Sequence, residues 1–281
     1  VVFIRGLGPI PAFGTLGAAI GTVVSGALVS GWIIAYLLRG NGVVAFPRNA
    51  RWTFDLRLVR ELFRFGLPTG LQGVAMNLGG VLLLRYVGSL PSSAEAQAAY
   101  AVGYTQLFSF ITWSSVGLMG AASTVAGQNL GAGHPDRSIR GVQSAALIGV
   151  GLAMSIGSLF AFAPEFLLAL FGMEDPIALD LATQLLGFLA VSGLFVSVAL
   201  AYTGGLQGTG DTRGPLYISL VSQLAVPLGI CLAFDLVGAL GAVVIWSAIV
   251  VGHVSRASLT VVRFRQGRWR SIEVDIGPEP T

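Results

Sequence analysis

The sequence contains no lysine, one cysteine and two histidines, and only 10% of its 281 residues carry charge. Soluble domains carry roughly 25% charged residues, so a chain this poor in charge lacks the means to solvate a globular surface. The lone cysteine, Cys231, excludes an internal disulfide and any cysteine-based metal site. All sixteen basic residues are arginine, and they are dispersed along the chain. The sequence pI of about 9.4 therefore reflects no single basic face of the kind that binds nucleic acid.

What the chain has in abundance is apolar sequence: 54% hydrophobic residues and a mean hydropathy of +0.80. Seven apolar stretches, approximately 14–38, 66–87, 96–121, 142–162, 181–202, 216–234 and 239–254, have about the 17–25 residues that span a bilayer. None alternates strictly as a barrel strand would, and a lipid-exposed backbone must satisfy its own hydrogen bonds, so the spans are predicted to be helices. The 39 glycines suit helices that approach closely in lipid. Gly17 with Gly21, Gly117 with Ala121 and Gly149 with Ala153 are the expected small-residue contacts.

The arginines set a topology. Arg39, Arg48, Arg51, Arg57, Arg60 and Arg64 follow the first span, Arg137 and Arg140 the third, Arg213 the fifth, and Arg256, Arg263, Arg265, Arg268 and Arg270 the seventh. Cytoplasmic loops retain arginine, so these fourteen mark the cytoplasmic side of a cell (inner) membrane. Only Arg5 and Arg85 fall on the other side, which places the amino end outside and the carboxyl end inside. Between Thr53 and Phe65, Leu56, Val59, Leu62 and Phe63 recur at helical spacing while Arg57, Arg60 and Arg64 take the other face. This predicts an amphipathic helix on the cytoplasmic membrane surface.

Seven spans is an odd number for a transporter built from duplicated halves, which predicts that the sequence is part of a longer chain. An internal echo agrees: Gly14-Thr-Leu-Gly-Ala18 opens the first span, and Gly238-Ala-Leu-Gly-Ala242 opens the seventh.

Three stretches resemble motifs of the MATE (multidrug and toxin extrusion) transporters, in the same order and spacing. They are Gly66-Leu-Pro-Thr-Gly-Leu-Gln72, Gly117-Leu-Met-Gly-Ala-Ala-Ser-Thr-Val-Ala-Gly-Gln-Asn-Leu-Gly-Ala-Gly133 and Leu206-Gln-Gly-Thr-Gly-Asp-Thr-Arg-Gly-Pro215. The resemblance implies an all-α integral membrane fold of two six-helix lobes around a central cavity, acting as an ion-coupled antiporter by alternating access. Residues 1–38 would then hold the last helix of the amino-terminal lobe, 39–64 the inter-lobe connection, 65–270 the six-helix carboxyl-terminal lobe and 271–281 a cytoplasmic tail. The remainder of the amino-terminal lobe would be the chief partner, beside the bilayer and small amphiphilic substrates.

Candidate residues fall into two groups. Gly127, Gly131 and Gly133 end the third span, where Gln128 and Asn129 can bond free helix carbonyls; Gly208, Gly210, Asp211 and Pro215 make a tight turn before the sixth. Both are read as structural, because loops at the membrane edge lie away from a midplane site. For the substrate pathway, Gln72, Met76 and Asn77 share one face of the second span or its margin, and Tyr100, Tyr104 and Phe108 form a stripe at four-residue spacing. Such surfaces hold a flat amphiphile through ring contacts and a few hydrogen bonds. The competing reading places Tyr100 and Tyr104 in the outer aromatic belt and has Gln72 and Asn77 bonding between helices.

Many sodium-coupled relatives carry a carboxylate in the first span of this lobe, yet residues 66–87 contain no Asp or Glu. An intramembrane carboxylate is the expected coupling site, which favours a proton over sodium and an acid in the other lobe. No cofactor, metal or catalytic residue is implied. A retinal receptor needs a lysine. The Gly208-Thr-Gly-Asp211 string matches intramembrane aspartyl proteases, but these require a second embedded carboxylate. The expectation is an exporter of amphiphilic, often cationic compounds; the alternative is a flippase for lipid-linked sugars, whose cavity would carry cationic residues for pyrophosphate.

Overall fold

The computed structural model describes residues 2–6, 11–40 and 54–272. Arg48, Arg51, Thr53 and residues 273–281 lie outside them. The chain forms two compact units, Val1–Leu56 and Arg57–Thr281.

The first unit contains helix α1, Gly14–Leu38. Its length of 25 residues gives about 37 Å at 1.5 Å per residue, enough to cross a hydrocarbon core of about 30 Å. Only Gly17 is buried, where the Phe3 carbonyl of the short helix Val2–Arg5 lies against it.

The second unit contains six helical paths: α2 (Leu56–Gly88), α3 (93–131), α4 (Pro135–Phe162), α5 (Pro176–Gly208), α6 (Arg213–Leu236) and α7 (Ala242–Arg265). All except α3 qualify as spans by length and apolarity alone. The path of α3 is divided into α-helical Ser93–Tyr100, π-helical Ala101–Leu107 and α-helical Ser109–Gly131. A second π-helical segment, Leu220–Ala225, interrupts α6. With α1 the chain has seven apolar helical paths among the described residues, the all-α membrane architecture expected.

Helix α5 is the central strut, with α3, α4 and α7 packed around it. Asp175 caps its start by accepting from the backbone N–H of Ile177 and Ala178, both at 2.9 Å, with Pro176 at the first helical position. Its tolerance of so many neighbours comes from small residues. A Cβ at Gly204 or Gly208 would collide with the carbonyl of Met119 or Ser123 on α3, and one at Gly127 would sit 2.5 Å from the Gly208 carbonyl oxygen. The α3–α5 contact therefore uses Gly127, Gly204 and Gly208. At Gly117, expected at a helix contact, a Cβ would meet no atom within 4 Å among the described residues, and Ala121 is exposed.

Both motif stretches end in one geometry. Gly133 (φ 76°) follows α3, with His134 N–H donating to Asn129 O and Gly133 N–H to Leu130 O. Gly210 (φ 92°) follows α5, with Asp211 N–H donating to Leu206 O and Gly210 N–H to Gln207 O. These paired bonds around a left-handed glycine satisfy the last helix carbonyls. The Asn129 amide donates back to Val125 O at 2.8 Å, whereas the Gln128 side chain is exposed and Gly131 faces open space. Buried Pro215 sits in the first turn of α6, where no N–H is needed.

Asp211 is buried. One carboxylate oxygen accepts from Gly214 N–H at 2.9 Å and the other pairs with Arg263 Nε at 2.7 Å, tying the α5–α6 turn to α7.

Two expectations are corrected. Residues 56–65 form the first turns of α2 and run without a break through Pro68, so they are not a separate surface helix. Arg256 does not lie on a connection. The apolar run ends near Val254 but helix α7 continues to Arg265, and Arg256 is 3% exposed within it. Protein, not lipid, surrounds that face, so the end of hydropathy is not the end of the helix.

Candidate functional site

A cavity of about 210 Å³ opens among α2, α3, α6 and α7, lined by Met76, Asn77, Gly79, Gly80, Leu83, Tyr100, Tyr104, Gln223, Pro227, Ile249, Gly252 and His253. His253 lies about 16 Å along α7 from Ala242 and Asn77 a similar distance from the Gly88 end of α2, at 1.5 Å per residue, so the cavity sits near mid-helix. Both π-helical segments border it, through Tyr104 and Gln223. Such segments occur frequently at functional sites, because an inserted residue re-aims the side chains beside it.

Close backbone approach builds the walls. A Cβ at Gly79 would lie 2.6 Å from the Gln223 carbonyl oxygen, and one at Gly252 would lie 2.8 Å from that of Ser222. Glycine on α2 and α7 thus lets the π-helical turn of α6 wedge between them. The Gln223 amide spans to Gly252 O at 3.3 Å and to Ser222 O at 3.2 Å.

Of the six predicted pathway residues, Met76, Asn77, Tyr100 and Tyr104 line the cavity. Asn77 also donates to Gly73 O of its own helix at 2.9 Å. Gln72 is buried elsewhere: its amide nitrogen donates to Ser219 Oγ at 2.8 Å and its oxygen accepts from Gln207 Nε2 at 2.9 Å, so it joins α2, α5 and α6. Phe108 is 1% exposed and stands behind the lining. The tyrosine stripe faces inward. Tyr100 stacks on Tyr104 with centroids 4.9 Å apart, Tyr104 contacts Phe108 at 5.5 Å and Phe108 stacks on His253 at 5.8 Å. Trp246, fully buried, stacks on Tyr100 from α7 at 6.3 Å.

Sequence reasoning missed Gln223, Trp246, His253 and Arg256. The available signal was a polar pair three residues apart, His253 and Arg256, extending an apolar run on one helix face. Trp246 Nε1, His253 Nδ1 and Arg256 Nε have no hydrogen-bond partner among the described residues. No group of acidic, histidine or cysteine side chains able to hold a metal occurs among those residues. A second cavity, of about 410 Å³, lies toward the other ends of α2 and α6 and includes Arg85, Tyr86 and Asp235.

A bundle of long apolar helices, with an aromatic cavity near mid-helix at two helix irregularities, has the architecture of a polytopic membrane protein. The family model MatE matches residues 68–234, and the chain belongs to this family, whose members are transporters and not enzymes. It is 30% identical over 280 residues to the probable multidrug resistance protein NorM of Deinococcus radiodurans, covering 94% of this chain and 58% of that protein. It is 29% identical over 279 residues to the multidrug resistance protein MdtK of Pectobacterium atrosepticum, with the same coverage. Among solved structures it resembles the eukaryotic MATE transporter AtDTX14, with a TM-score of 0.79 and 22% identity, over 96% of this chain and 58% of that one. The chain thus spans a little over half the length of these relatives.

Proposed function

We propose that this chain supplies one six-helix lobe, approximately residues 65–270, and the last helix of the other lobe to an exporter of amphiphilic, often cationic compounds. The exporter exchanges them for protons by alternating access. What carries the reading is the mid-helix cavity of stacked Tyr100 and Tyr104 with Asn77 and Gln223, in a chain of the MatE family with relatives named for multidrug resistance. Aromatic walls with few polar groups accept varied flat molecules without a fixed hydrogen-bond pattern.

From the arginine-rich connections we assign the carboxyl end to the cytoplasm and the amino end to the outside of a cell (inner) membrane. Proton coupling is favoured over sodium because residues 66–87 offer no carboxylate. The carboxylate that carries the ion, and that meets a cationic substrate, then belongs to the partner lobe. The lipid-linked-sugar alternative draws no support from the relatives.

Ethidium efflux from vesicles that contain the full-length two-lobe protein, with imposed gradients, tests this. Efflux driven by a proton gradient is expected. No gradient-dependent movement would refute export, and drive by sodium alone would overturn the proton assignment.

A further inference from the structure

Beside the amides of Asn77 and Gln223, which offer both donors and acceptors, the α7 side of the cavity is rich in donors and holds a buried cation just behind its lining. His253 lines it and is 4% exposed, with Nδ1 unpartnered; Arg256, one turn along the same face of α7, is 3% exposed, has an unpartnered Nε and enters no ion pair among the described residues. Tyr104 and His253 lie near enough to Arg256 to couple to it electrostatically, and neither is a carboxylate. A guanidinium has five donors and no acceptor, and burying it without a counter-charge is costly. Trp246 adds a second buried donor, also without a partner among the described residues, behind Tyr100. The N–H groups of Arg256 and Trp246 call for an acceptor, and the guanidinium above all for an anion.

We infer that the cavity binds the carboxylate end of an aromatic amphiphile, with the acid directed toward His253 and Arg256 and the ring system against the Tyr100–Tyr104 stack. The volume of about 210 Å³ is below the roughly 300–1,000 Å³ of a whole drug site, so the cavity takes one end of a ligand. This rests on the export reading and refines it: a zwitterionic substrate places its acid in this lobe and its cation toward the partner lobe.

The test is a titration of the purified protein in neutral phosphatidylcholine nanodiscs, without any gradient. The probes are 2-naphthoate, 2-naphthylmethylammonium and 2-naphthalenemethanol, which share one ring system and differ in charge. Naphthoate is expected to bind at least about tenfold more tightly than the ammonium, as charge-assisted hydrogen bonding requires. R256Q should lose at least about tenfold for naphthoate while the alcohol changes little, and R256K should retain the preference. Ammonium that displaces naphthoate competitively with equal or higher affinity overturns the inference, whether or not R256Q folds. So does an R256Q variant that keeps the naphthoate preference. Loss of naphthoate binding in phosphatidylglycerol nanodiscs would reassign the cavity to a lipid headgroup. Because the titration needs no transport, its failure is distinct from failure of ethidium efflux.

Discussion

Replacing Gly204 by alanine probes the α3–α5 contact directly. The added Cβ would overlap the Met119 carbonyl oxygen, a backbone atom that no rotamer change can move. Restoring ordinary contact requires the two backbones to part by about 1 Å, and a gap of that size forfeits a quarter to a half of each dispersion well along the interface. Overpacking of this kind costs about 1–3 kcal/mol. Alanine offsets part of that, because it favours a helix interior by about 1 kcal/mol over glycine. Gly117→Ala supplies the reference, since a Cβ there meets no atom within 4 Å among the described residues and only the propensity gain remains. The difference in unfolding midpoint between the two variants therefore isolates packing. At roughly 2–4 °C per kcal/mol, Gly204→Ala should melt several degrees below Gly117→Ala when the purified protein is heated in detergent. Equal midpoints would show that α3 and α5 do not meet at these glycines.

Asp211→Asn keeps an acceptor for Gly214 N–H but removes the charge facing Arg263, whose side chain is 27% exposed and so keeps some solvation. Thermal stability should fall by about 1–3 kcal/mol, and an unchanged midpoint would mean the pair does not tie α7 to the α5–α6 turn. Gln72→Leu leaves Ser219 and Gln207 without their partner and should cost about 1–3 kcal/mol, again read as a lower midpoint. Because Gln72 does not line the cavity, the variant's affinity for 2-naphthalenemethanol should stay close to that of the unaltered protein, and a large loss would place Gln72 in the site.

Composition and hydropathy were enough to establish an all-α membrane protein of seven spans, because a bilayer imposes one length scale and one charge rule on any chain that crosses it. The local motif chemistry was legible as well. Gly133 and Gly210 had to follow helix ends, since left-handed backbone there depends on residues adjacent in sequence. The site was only half legible. The four-residue spacing placed Tyr100, Tyr104 and Phe108 on one face, but spacing cannot say whether that face meets lipid or protein. Packing against α7 decided it, through Trp246 and His253. The same limit hid Arg256: a hydropathy window sees a charge ending an apolar run, whereas the fold buries that charge inside a continuing helix. Gln72 and Asn77, five residues apart, illustrate the division. Sequence put both on or near one side of α2, and contacts with helices more than a hundred residues away made Gln72 an interhelical brace and left Asn77 on the cavity wall. Periodicity and hydropathy are properties of neighbouring residues and can be read along the chain; which polar group is left without a partner depends on all the helices at once.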